Sequence, residues 1–137
     1  MNRAVAHSGT EQHRLGAVLA ELAANGVAHW FDLRGSTGVR EDHYRDYIRA
    51  AQLAGTDRWV GEHVGNTDTG GAHWGSDGVL YAGRGTDYPV RELWWSFNHE
   101  IPELAELLVA VFTAHGFDAS WSGDTSQSVV VDLAATR

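Results

Sequence analysis

Apolar residues recur along this chain with two different periods, and glycine marks most places where one period gives way to the other. Leu15, Val18, Leu19 and Leu22 are spaced three and four apart, the pattern of one helical face, before Asn25-Gly26. Ahead of them Ser8-Gly9-Thr10-Glu11 has the form of a capping box. A second helical pattern covers residues 42–54, with Tyr44, Tyr47, Ile48 and Ala51 on one face and Gly55 at its end. A third carries Leu104, Leu107, Leu108, Val111 and Phe112; Asn98 is placed to cap it, Pro102 falls in its first turn, and His115-Gly116 stops it.

Between these segments the period is two. Residues 58–64 alternate, with Trp59, Gly61 and His63 facing one way and Val60, Glu62 and Val64 the other. Residues 78–84 and 90–97 read as two more strands, the second with Leu93, Trp95 and Phe97 on one face and Trp94 opposite. Residues 117–121 and 129–133, joined by the polar stretch 122–128, suit a hairpin. Residues 27–31 fit either a short buried strand or a docked loop, leading into a glycine-containing turn at 34–38. The order is ααβββαββ. Strands joined by short turns pair as neighbours, so the expected fold is α+β: a mainly antiparallel five-stranded sheet with three helices packed on one face. A single domain is expected over residues 8–135, with a flexible N-terminal end at 1–7.

A chain of 137 residues matches one domain and buries roughly two-thirds of its unfolded surface. It has no cysteine, which removes disulfides, thiolate metal sites and a thiol nucleophile together. The first nine residues lack the apolar stretch of a signal peptide, and the most hydrophobic run, 104–112, is far shorter than the ~20 residues a membrane span needs. A cytoplasmic protein without a membrane partner is expected. The formal net charge is −8, and every basic side chain is arginine, scattered from Arg3 to Arg137. Arginine without lysine, in a chain rich in alanine and glycine, fits the coding bias of a high-GC bacterium. Phosphate binding needs clustered basic groups, so nucleic acid is disfavoured and a basic protein surface or cationic ligand is the more natural partner.

Chemistry concentrates in the glycine-rich stretch 65–77 and its flanks. His63, Asp68, His73 and Asp77 supply imidazole and carboxylate, the groups of an acid–base pair near neutral pH or of a metal site without thiolates. Their spacing matches no established metal motif, and no metal or cofactor is assigned. Asn66, Asp68 and Asp77 have an equally ready role as turn-formers, and His63, on the face of Trp59, as a core-edge histidine. Six tryptophans are many for so small a chain; Trp74 and Trp94 are the two expected to stay partly exposed, where indoles anchor partners. His99 and Glu100 beside Trp94 offer a second acid–base pair, although both also suit a helix N-terminus. The chain lacks a phosphate loop, a dinucleotide fingerprint and a nucleophile elbow.

Three stretches resemble an uncharacterised bacterial family, a domain of unknown function found mainly in actinobacteria. Residues 19–31, with Glu-Leu-Ala-Ala-Asn-Gly-Val, are similar to its first helix and turn; residues 59–68 followed by 78–83 resemble its central hairpin; residues 111–133 resemble its closing helix and hairpin. Family members usually carry a histidine closely followed by an acidic residue at the end of the first hairpin strand; His63 matches, whereas Asp68 sits further along and an insertion follows. A cysteine pair of the family falls at 33–38, where this chain has none, so no role built on that pair transfers. The resemblance implies the fold and brings no activity.

Two functions fit these residues. One is a small acidic accessory protein, inhibitor- or immunity-like, that recognises a protein partner through the glycine-rich loop and exposed tryptophans such as Trp74 and Trp94. The other is a small cofactor-independent enzyme using a His/Asp acid–base pair on a small aromatic or apolar substrate, as in secondary metabolism.

Overall fold

The computed structural model describes residues 9–31, 33, 40–63 and 71–137, with the backbone alone at 40–46 and 63. The expected N-terminal end, the turn at 34–38 and loop residues 64–70 lie outside the described residues. Three α-helices are described: α1 (Glu11–Ala24), α2 (Arg40–Ala54) and α3 (Glu103–Ala114). The strands are β1 (Ala28–Trp30), β2 (Trp59–His63), β3 (Ala72–Trp74), β4 (Leu80–Ala82), β5 (Glu92–Phe97), β6 (Asp118–Ser120) and β7 (Val129–Asp132).

Thr10 caps α1, its hydroxyl accepting from the His13 N–H at 3.1 Å; Ser8 lies outside the described residues. A threonine oxygen there meets the third free N–H of the helix, as an N-cap side chain does. At the other end Gly26 takes φ +74°, and the N–H of Val27 reaches back to Leu22 C=O at 3.0 Å, a closure that glycine permits without a Cβ penalty. The same bonding pattern recurs after α2 and α3. The start of α3 departs from expectation. Asn98 builds an upstream turn instead, with its side chain accepting from Glu100 N–H at 3.1 Å and its carbonyl from Ile101 N–H, and the helix begins after Pro102.

The main sheet has five strands in the order β1-β2-β5-β7-β6. It is mixed: β1 and β2 run parallel, and the other three pairings are antiparallel. This corrects the expected membership, because residues 28–30 supply an edge strand while residues 80–82 leave the sheet and pair with β3 in a separate hairpin. Parallel neighbours cannot be joined by a tight turn, and α2 is the crossover between them.

The helices therefore do not share one face. Alternate residues of β2 point to opposite sides: Val60 joins the core formed with α1, α3, Trp95 and Phe97, whereas Trp59 packs with Tyr47 and Ala51 of α2. On the α2 side a Cβ at Gly61 would overlap the Tyr47 ring, whose hydroxyl donates to Glu62 C=O at 2.9 Å. Glycine here lets the helix sit directly on the strand. The β3–β4 hairpin closes the other side, with Leu80 fully buried and Ala72 and Trp74 packed against that core.

The hairpin also meets the start of α1. Gly78 C=O accepts from Gln12 N–H at 3.0 Å, and a Cβ on Gly78, whose φ is +77°, would run into Thr10. Glu11 turns inward there. Its carboxylate accepts from Leu80 N–H at 3.1 Å and from Arg137 through two bonds of 3.0 and 2.9 Å, so one buried side chain ties α1, β4 and the last residue of the chain together.

Candidate functional site

The residues singled out by the sequence fall in three separate places. His63 ends β2, with its backbone opposite Trp94 of β5; its side chain and all of Asp68 lie outside the described residues. His73 sits on the outer side of β3, half-buried, with Nδ1 2.8 Å from Gly83 C=O. A carbonyl only accepts, so Nδ1 carries the proton in this bond. The imidazole also stacks on Tyr81, ring centroids 6.0 Å apart.

Asp77 shapes the β3–β4 turn: Oδ1 accepts from Val79 N–H at 3.0 Å and Oδ2 from the Tyr81 hydroxyl at 2.6 Å. These bonds, the tyrosine's first, hold its carboxyl below the usual range, and the same bond raises the Tyr81 hydroxyl. His73 and Asp77 are thus each linked to Tyr81. Their partners are those of an Asx turn and a backbone-anchored histidine. Trp74 points inward and is half-buried. His99 and Glu100 are exposed in the turn before α3, with His99 near the Phe97 ring at 5.7 Å. Among the described residues no group of three or more histidine or carboxylate side chains is placed to hold a metal ion.

Strand register assembles two features that spacing along the chain conceals. The first is on the α2 side of the sheet. There α2 packs on β1 and β2, while among the described residues no helix packs on the β5-β7-β6 part of that side, where Trp94 is 37 % exposed and Asp118 and Ser120 are exposed. Across these strands Glu92 faces Asp132, and Asp132 faces Asp118, so three carboxylates form one row. The next row is Trp94, Val130 and Ser120. Like charges directly opposite on a sheet oppose folding. Within it Trp94 Nε1 donates to Glu92 Oε1 at 2.7 Å, and Asp132 Oδ1 accepts from Ala135 N–H at 3.0 Å.

The second feature is on the core side. Glu62, in the strand pattern Val60-Gly61-Glu62, faces inward opposite Trp95 and is 3 % exposed. Burial pushes its carboxyl up from 4.5 to about 8. Among the described residues its Oε1 has no hydrogen-bond partner, and neither does the fully buried Nε1 of Trp95. His29, on the same side of β1 and opposite Val60, is lowered by burial. Alternation in the sequence groups Glu62 with Val60 on one face, but the face expected toward the core is that of Trp59 and His63.

The chain matches no protein-family model, no curated protein and no solved structure.

Proposed function

We propose that this chain is a small acidic binding protein, an accessory or inhibitor-like factor, that takes a basic segment of a protein partner on the β5-β7-β6 half of its sheet. The observation that carries this reading is the row Glu92–Asp132–Asp118 lying in register beside exposed Trp94. An indole contributes large contact area, and the carboxylates flanking it favour arginine or lysine side chains, whose attraction is strengthened by the chain's net charge of −8. The glycine-rich loop, through residues 65–70, remains part of this proposal as a second contact. A His/Asp acid–base enzyme has less support, because His73 and Asp77 both have partners of a structural kind.

Titration calorimetry with an arginine-rich peptide, against a glycine–serine peptide of equal length, tests the reading. Binding is expected only for the basic peptide, and it weakens as salt is raised. Trp94→Ala and Asp118→Arg should each weaken it about tenfold. Equal affinity in either variant, or no binding by the unaltered chain, would overturn it.

A further inference from the structure

Glu62 and Trp95 are direct cross-strand neighbours on the core side of the β2–β5 pair. Among the described residues one presents an unpaired acceptor, Oε1, and the other an unpaired donor, Nε1–H, and both side chains are buried. Buried polar side-chain groups in folded proteins are overwhelmingly hydrogen-bonded, so two orphans on facing residues call for a partner that supplies both halves. Among the described residues Arg14 Nε is a third such atom, and other buried side-chain groups follow the rule. Glu11, equally buried, accepts three hydrogen bonds, and the indole of Trp121 donates to the carbonyls of Asp124 and Gln127.

The surroundings are aromatic. Phe31 stacks on Trp95 with ring centroids 5.9 Å apart, and Phe112 meets the same indole at 5.5 Å. Extending the parallel register by one residue beyond Trp30–Gly61 sets Phe31 alongside Glu62. Phe31 and Leu33 are only half-buried, so the outer boundary of this aromatic group reaches the surface through them. Both Phe31 and Glu62 lie at the carboxyl ends of the parallel pair β1 and β2.

We propose that Glu62 and Trp95 form an interior binding site for a small aromatic molecule bearing one hydroxyl, its ring against Phe31 and Trp95 and its hydroxyl between the two polar atoms. A hydroxyl is the smallest organic group that accepts from an indole N–H and donates to a carboxyl oxygen at once. An ammonium only donates and would leave Trp95 unsatisfied. Burial also holds Glu62 uncharged near neutral pH, which suits a neutral ligand over a cation.

The experiment uses p-cresol and toluene, two probes of nearly the same shape that differ in the hydroxyl. Each is titrated into the full chain while the indole N–H resonances are followed by nitrogen-15 NMR, with the Trp95 signal identified from its loss in Trp95→Phe. p-Cresol should shift that resonance saturably and bind about tenfold more tightly than toluene, the worth of the hydroxyl's paired bonds. Glu62→Leu, which puts an apolar side chain at a buried position and so retains the fold, should bring the two probes to equal affinity. Absence of a saturable shift with p-cresol, equal affinity of the unaltered chain for both probes, or a retained preference in Glu62→Leu would each overturn the site. A tightly held water between Glu62 and Trp95 that p-cresol does not displace would overturn it as well, leaving a hydration site only.

Discussion

Glu11 and Glu62 are the same residue type, at 5 % and 3 % exposure, in two regions that treat a buried carboxyl in opposite ways. Around Glu11 the chain brings in an arginine fork and a backbone N–H, so every element it touches is fastened by a charge-assisted bond. Around Glu62 the neighbours are strands and aromatic rings, and its Oε1 is left without a partner among the described residues. Burial alone therefore says little about what a carboxyl does. Its partners decide whether it is a fastening or an unsatisfied group kept for another purpose.

The largest separation between the two regions should appear in the pH dependence of stability. The Glu62 carboxyl titrates at about 8 in the folded chain and near 4.5 when free of burial, so the folded state holds a proton that the unfolded state has released. Stability must then fall as pH rises through that window, by about 1.4 kcal/mol per pH unit where the difference is complete. His29 acts in the reverse sense. Its lowered folded value means that the unfolded chain takes up the proton first, so stability is lost as pH falls below 6.5. The Glu62 slope is accordingly cleanest from 6.5 to about 8. Urea unfolding across that interval measures it, and a flat profile there would remove Glu62 as a buried, uncharged group.

Glu11→Leu should have the next largest effect. It leaves Leu80 N–H and the Arg137 guanidinium without their acceptor, and losing one member of a buried pair costs about 3 kcal/mol. Arg137 retains 22 % side-chain exposure, which lets water recover part of that loss. Thermal melting reads it directly. An unchanged melting temperature would show that the three bonds to Glu11 do not hold α1 against the hairpin.

How much of this was legible beforehand differs between the two regions for a physical reason. Helix stops at Gly26, Gly55 and Gly116 are local events, fixed by a few consecutive residues, and they were readable in the sequence. Alternation also puts Glu62 on the face of Val60, but the face expected toward the core is that of Trp59 and His63, so the burial of Glu62 was not readable. The parallel edge was not readable: residues 28–30 are too few to show a period, and nothing within them tells β1 to align with β2 instead of with a following hairpin. Placing α2 on the opposite face follows from that pairing, so it was missed with it. The orphaned pair and the acidic row both depend on register. Trp95 meets Glu62, and Asp132 stands between Glu92 and Asp118, only once distant strands are aligned. Conversely, His73 and Asp77 are close in sequence and chemically conspicuous, yet the turn and the Gly83 carbonyl supply their partners.

Substitutions at Glu62 should change stability least, and in the opposite direction from Glu11. At pH 5 the carboxyl is already protonated in the folded chain, so Glu62→Leu removes only an unpaired polar group and should stabilise by about 1 kcal/mol. Glu62→Gln is sharper still. The amide keeps the size and a carbonyl oxygen but cannot ionise, so at pH 5 its stability should lie within about 0.5 kcal/mol of the unaltered chain. Toward pH 8 the two should diverge, because only the glutamate develops a charge inside the core. Parallel urea curves for glutamate, glutamine and leucine at both pH values isolate ionisation from polarity. If glutamine lost stability at pH 5, the Glu62 carboxyl would have a partner that an amide cannot serve, and the contrast with Glu11 would collapse into two fastenings of different kinds.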